Sequence, residues 1–134
     1  MSWSHATPLP FSHCDPAGIA YYPKLFELLD VAIEVWTAEV IGVPRHVMHR
    51  DLRRGMPTVT LAARFAAVCY HGDALDIALD VTKVGGSSVD FTIDVACAGE
   101  ARLTVDYRQV LVDQNTRRAV RWPEDWRTRL EAQL

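Results

Sequence analysis

The chain has 134 residues, 49% of them hydrophobic and 23% charged, and its 14 Lys and Arg against 17 Asp and Glu leave a formal net charge of −3. A chain of this size buries one ordinary core but would leave two full domains marginal, and its mildly acidic balance offers no general field for nucleic acid. Met1-Ser2-Trp3-Ser4-His5 does not begin a basic end followed by an apolar run, and no stretch nears about 18 consecutive apolar residues, so neither a secretion signal nor contact with a membrane is expected.

A first strand fits Trp3 to Phe11, with Pro8 and Pro10 restricting it to an edge or a bulged position. From Pro23 to Ile41, Leu25, Leu28, Leu29, Ala32, Trp36 and Val40 recur at three- and four-residue steps, while Lys24, Glu27, Asp30 and Glu34 fall elsewhere around the wheel. This is an amphipathic helix of about five turns, stopped by Gly42 and Pro44. A basic connector runs from Pro44 to Gly55, after which the period changes to two. Val59, Leu61, Ala63 and Phe65 mark one face of a half-buried strand. The pattern repeats through Leu75 to Val81, Val89 to Cys97 and Leu103 to Tyr107. Each break is short and carries Gly, as in His71-Gly72-Asp73, Gly85-Gly86-Ser87-Ser88 and Ala98-Gly99-Glu100, so the strands form an antiparallel meander. A short helix closes the chain from Pro123.

One apolar helix stripe and one apolar sheet face pack most economically with the sheet wrapped around the helix, an α+β arrangement in a single domain over residues 1–134. The uncovered edge invites a second copy, so a homodimer with a continuous sheet, or a homotetramer built from dimers, is expected. The three cysteines, Cys14, Cys69 and Cys97, lie far apart without a Cys-x-x-Cys or a metal-spaced His pair, which fits a reducing cytoplasm and gives no metal site.

Ionisable residues and turn formers concentrate in Ser12-His13-Cys14-Asp15-Pro16-Ala17-Gly18-Ile19-Ala20-Tyr21-Tyr22-Pro23. Asp15-Pro16 could cap a helix, but Pro23 would then lie in the helix interior at a cost of about 3 kcal/mol. A helix beginning at Pro23 puts Tyr22 at the cap, where it offers no short side-chain acceptor to the free N–H groups of the first turn. Such an end favours developing negative charge, and Asp15 lies on the loop that delivers the chain to it. A carboxylate there can attack a carbonyl or activate water against it. Cys14 and His13 are neighbours on an extended segment and point apart, a poor arrangement for a nucleophile and its base.

The run His13 to Pro23, with its Asp-Pro-Ala-Gly-Ile motif ahead of a long helix and a four-strand meander, resembles the 4-hydroxybenzoyl-CoA thioesterase family of the hotdog fold. The resemblance extends from about Phe11 to Val112, with Gly72-Asp73 opening a strand in the family manner. It implies an acyl-CoA thioesterase for an aromatic or short-chain acyl group, Asp15 as the catalytic carboxylate and the Tyr22 N–H as the group that polarises the thioester carbonyl. It also places Asp30 near the acyl group and Lys83, Ser87 and Ser88 near coenzyme A, which is part of the substrate; no separate cofactor is implied. His13 and Gly18 are expected substrate neighbours on the motif loop, and Thr58 and Thr60, sharing a strand face, are candidates for the acyl pocket. Basic residues of the connector, with Lys83 and Arg117-Arg118, offer charge for the coenzyme phosphates. Another hotdog branch uses a helix carboxylate instead, for which Glu27 or Glu34 could serve; the alternative functions are a hotdog dehydratase or hydratase, which relies on a His with a helix carboxylate, and a non-catalytic acyl-CoA-binding protein.

Overall fold

The computed structural model describes residues 2–134. In chain order the elements are β1 (Trp3–Pro8), a 3-10 turn (Phe11–His13), α1 (Tyr22–Trp36), α2 (Arg45–Arg50), β2 (Arg54–Gly55) and β3 (Thr58–Phe65), then β4 (Ala74–Val84), β5 (Ser88–Cys97), β6 (Glu100–Val110), β7 (Val112–Asp113) and α3 (Glu124–Glu131). Five strands form one antiparallel sheet in the order β1-β4-β5-β6-β3, and β2 pairs with β7 as a small ribbon. The expected meander and helix are present. The first strand stops at Pro8, and part of the basic connector coils into α2.

Helix α1 reaches the expected end at Ile41 by way of a five-residue π-helical turn, Thr37–Ile41. Thr37 Oγ1 donates back to the Ile33 carbonyl at 2.8 Å, and the Gly42 N–H reaches Thr37 O at 3.2 Å. Gly42 then turns the chain with φ +84°, a conformation that suits glycine. The freed Ile41 carbonyl accepts from Arg129 of α3 at 2.5 Å, which ties the C-terminal helix to the end of α1.

The buried stripe of α1, Leu25, Leu28, Leu29, Ala32, Ile33 and Trp36, lies against the inner face of the sheet. Trp36 meets Phe91 at a ring separation of 5.4 Å, and Phe91 stacks on Tyr107 at 5.1 Å. The outer face is polar and bound together by cross-strand pairs: Thr92 to Asp106 at 2.7 Å, Thr104 to Asp94 at 2.7 Å, and Arg108 on both oxygens of Asp90 at 2.7 and 2.9 Å. Period-two alternation therefore sorts one helix-facing layer from one face toward water.

Strand β3 departs from the half-buried face expected of it. Val59 and Phe65 are each 53% exposed and Leu61 43%, while Ala63 is half-buried. It is an edge strand, paired on one side with β6 and open on the other. A register shift between Thr58 and Thr60 also separates two residues expected to share a face. Thr58 pairs with the buried Gln109, and Thr60 with Arg108 on the outer face.

Phe91 is the ring through which helix and sheet meet. Phe91→Ala is expected to destabilise the fold by about 3–5 kcal/mol, read as a lower urea midpoint with an unchanged slope.

Candidate active site

The segment before α1 is a short closed loop. Cys14 and Ala20 face each other in a β-bridge, the Asp15 N–H donates to Ile19 O at 2.8 Å, and the Gly18 N–H donates to Asp15 O at 3.0 Å. Closing so tight a turn takes a positive φ, which Gly18 supplies at +79°. The half-buried Asp15 does not cap α1. Its Oδ1 accepts the Ala17 N–H at 2.8 Å, an Asx turn that fixes the carboxylate within its own loop.

Two further bonds dock this loop onto the irregular strap 66–73 between β3 and β4. The Ala20 N–H donates to Cys69 O at 2.8 Å and the His71 N–H to Gly18 O at 3.0 Å, and Ile19 bridges Tyr70. The loop ends when the Tyr21 N–H donates to His13 O at 2.9 Å. Helix α1 begins one residue earlier than expected, with Tyr21 at the cap, Tyr22 first and Pro23 second. The helix end is uncapped as expected: no side chain caps it, and among the described residues the Tyr22 N–H has no acceptor. Asp15 and that N–H stand at opposite ends of one tethered loop.

Cavities flank the loop on both sides. One of about 420 Å³ is lined by Phe11, Cys14, Asp15, Pro16, Gly18 and His71. The other, about 300 Å³ and apolar, includes Ile19, Tyr22, Leu25, Phe65, Val68 and Cys69. Tyr22, Phe26 and Phe65 pack edge to face beside it, with ring separations of 6.3 to 6.5 Å. His13 Nδ1 lies 3.0 Å from Ser12 Oγ, and its carbonyl accepts the Tyr21 N–H. The histidine that lines the Asp15 cavity is His71, packed on Phe11 at 5.4 Å. Only its place in a Gly-containing turn was visible in the sequence. Cys69 lines the apolar cavity, where burial pushes its thiol pKa up and Arg102 pulls the other way.

Farther along α1, a third cavity of about 590 Å³ gathers Asp30, Glu34, Arg45, His46, His49 and Thr58. A polar chain crosses it, with Arg45 donating to Thr37 Oγ1 at 3.1 Å and Gln109 Oε1 at 3.2 Å, and Gln109 donating to Thr58 Oγ1 at 3.1 Å. Partial loss of hydration raises the pKa of Asp30; nearby Arg45 opposes the shift and Glu27 adds to it. Burial, and then the Asp30 charge, push the pKa of the Tyr107 phenol up, and among the described residues its hydroxyl has no hydrogen-bond partner. Thr60 lies outside this pocket, in an outer-face groove with Arg108.

Lys83, Ser87 and Ser88 stand at the β4–β5 hairpin, at the opposite end of β4 from the strap. Eleven residues of β4 put roughly 30 Å between the two ends. Within one chain, then, Asp15 and Gly18 line one cavity, Tyr22 lines a second across the same loop, Asp30 joins Thr58 in a third, and the hairpin residues line none of these. Arg121 approaches Gly86 of the hairpin and Arg127 donates to Gly85 O at 2.9 Å, bringing basic groups to it from outside the predicted connector.

A family model for the thioesterase-like superfamily matches residues 9–130. The chain belongs to that superfamily. It is a thioester hydrolase with the hotdog fold. No curated protein matches it in sequence. Among solved structures, a thioesterase superfamily protein from Jannaschia sp. CCS1 is similar at 22% identity and TM-score 0.90, over 99% of this chain and 93% of that one. A 1,4-dihydroxy-2-naphthoyl-CoA thioesterase from Synechocystis follows at 17% and 0.86, over 97% and 96%. A gentisyl-coenzyme A thioesterase gives 20% and 0.84, over 93% and 99%. Among the described residues of this superfamily member, no helix is long and apolar enough to cross a membrane.

Asp73 is the strap residue expected to make stability depend on pH. The Tyr70 N–H, and after it the Arg102 guanidinium, hold the Asp73 carboxyl below the usual carboxylate range. A depressed folded pKa contributes stability that is present above the unfolded value and lost as pH falls through the folded one. Asp73→Asn is therefore expected to lower the melting temperature at pH 7 and to flatten its decline below about pH 4; parallel curves for the two proteins would refute this.

Proposed function

We propose that the chain hydrolyses acyl-CoA thioesters whose acyl group is aromatic, hydroxybenzoyl-like, or short, releasing the free acid and coenzyme A. The observation that carries this reading is the fixed Asp15 carboxylate on the loop that ends at the unpartnered Tyr22 N–H. The thioester carbonyl oxygen accepts that N–H, and the helix dipole adds to the stabilisation of the developing oxyanion. Asp15 then either attacks the carbonyl carbon to give a mixed anhydride, which water cleaves, or takes a proton from a water that attacks directly. In both routes the C–S bond breaks, the thiolate of coenzyme A leaves, and one water is consumed. The apolar cavity beside Tyr22 and Phe65 receives the acyl group. Two similar structures are thioesterases of aromatic acyl-CoAs by name, which supports the aromatic preference.

The working unit in this reading is a homodimer, alone or paired into a tetramer, joined through β3. The support is its open edge and its exposed Val59, Leu61 and Phe65. Antiparallel pairing of two β3 edges sets the Phe65 end of one chain beside the Thr58 end of the other. The acyl group held near Tyr22 then extends toward the partner's Asp30 and Thr58, and the partner's hairpin with Lys83, Ser87 and Ser88 comes within reach of coenzyme A. Three free cysteines fit a cytoplasmic setting.

The test is thiol release from benzoyl-, 4-hydroxybenzoyl-, acetyl- and butyryl-CoA. Asp15→Asn is expected to lower kcat at least about 100-fold while KM stays within a few-fold; a variant within a few-fold of the parent would remove Asp15 from the chemistry. Leu61→Glu is expected to give monomers in sedimentation and to lose activity with them, and a fully active monomer would contradict the two-chain site.

A further inference from the structure

An arginine is buried at the strap where packing alone would favour an apolar residue. Arg102, on β6, is 8% exposed. Its Nη1 donates to the Val68 carbonyl at 2.7 Å and to Asp73 Oδ2 at 2.6 Å, and its Nε lies 2.9 Å from Glu100 Oε1. Its own carbonyl accepts the N–H groups of Ala66 and Ala67 at 2.8 and 3.1 Å. One residue thus holds the strap at its start, its middle and its end. The same Asp73 oxygen accepts the Tyr70 N–H at 2.9 Å, closing the strap into a turn.

The far side of that turn carries the bonds to the Asp15 loop, Ala20 N–H to Cys69 O and His71 N–H to Gly18 O. Cys69 follows Val68 directly, and His71 lies two residues before Asp73. We infer that Arg102 is a positioning residue for hydrolysis: through the strap, it sets where the Asp15 carboxylate stands relative to the Tyr22 N–H and shapes the apolar wall formed by Val68 and Cys69. The inference rests on Asp15 being the catalytic carboxylate. Arg102 touches no substrate in this account, so its loss acts on the geometry of the reacting groups more than on ground-state binding. A displacement of about 1 Å in such a group can cost about 100-fold in rate.

The experiment compares Arg102→Met, Arg102→Lys and Asp73→Asn with the parent, each assayed well below its own melting temperature with benzoyl-CoA. Arg102→Met is expected to lower kcat by about 10- to 100-fold with KM changed less than about threefold. Arg102→Lys, which keeps a charged donor, is expected to recover part of that loss. Native-state hydrogen exchange supplies the second readout: the Ala20 and His71 amides should exchange faster in Arg102→Met, while the β5 amides remain protected. Folded Arg102→Met with kcat within twofold of the parent, or unchanged exchange at those two amides, would overturn the inference. If Arg102→Met does not fold, Arg102→Lys and Asp73→Asn decide the matter, since both are expected to lower kcat and loosen the same amides. Asp15→Asn measured alongside separates the two levels. An inactive Asp15→Asn with an active Arg102→Met defeats only the positioning role, whereas an active Asp15→Asn removes its catalytic basis.

Discussion

A single helix has to seal the inner face of a five-stranded sheet, and nearly everything else in the molecule follows from where that helix is allowed to start. The stripe from Leu25 to Trp36 fixes its rotation against Phe91, Ile93 and their neighbours, because turning it would expose the stripe and bury Glu27 and Glu34. Its axial position is fixed at both ends. Arg129 grips the Ile41 carbonyl at the C-terminus, and the closed loop from Cys14 to Ala20 is tied to the strap at the N-terminus. A helix pinned in this way presents its first N–H groups at a constant place beside the sheet edge. Preorganised donors of that kind stabilise developing charge without having to reorganise during the reaction.

The same economy leaves the fold incomplete. One helix covers β4, β5 and β6 but does not bury β3, whose apolar residues face water on an open edge. The candidate site residues are split in the same way. Asp15 and Tyr22 sit at the strap end of the sheet, and Asp30, Arg45 and Thr58 lie near the other end of β3. In the proposed dimer, antiparallel pairing of two such edges would cover the strand and bring these groups of the two chains together.

Elements with strong periodicity were legible in the sequence. The helix stripe, the alternating strands and the Gly-containing turns all placed elements close to where they lie, and Pro23 correctly argued against a helix that began at Asp15. The Tyr22 N–H was legible too, although the helix starts one residue earlier, because neither Tyr21 nor Tyr22 has a side chain that can cap it. What stayed hidden depended on contacts between segments far apart in the chain. Period two assigned β3 a buried face, but burial needs a covering layer, and that is a tertiary property. It also put Thr58 and Thr60 on one face, which the register shift undoes. His71 and Arg102 carry no local pattern. Their importance comes from a strap whose order depends on hydrogen bonds to three other parts of the chain, Leu9 just after β1, β6 and the Asp15 loop.

Polarisation of a thioester carbonyl by the start of α1 can be read by isotope-edited infrared spectroscopy. Benzoyl-CoA carrying ¹³C at the thioester carbonyl would be bound to Asp15→Asn, so that the substrate persists. Donation from the Tyr22 N–H and the helix dipole weakens the C=O bond, so the carbonyl stretch is expected at lower frequency than for the same compound in buffer. A bound carbonyl at its solution frequency, or shifted higher, would contradict it.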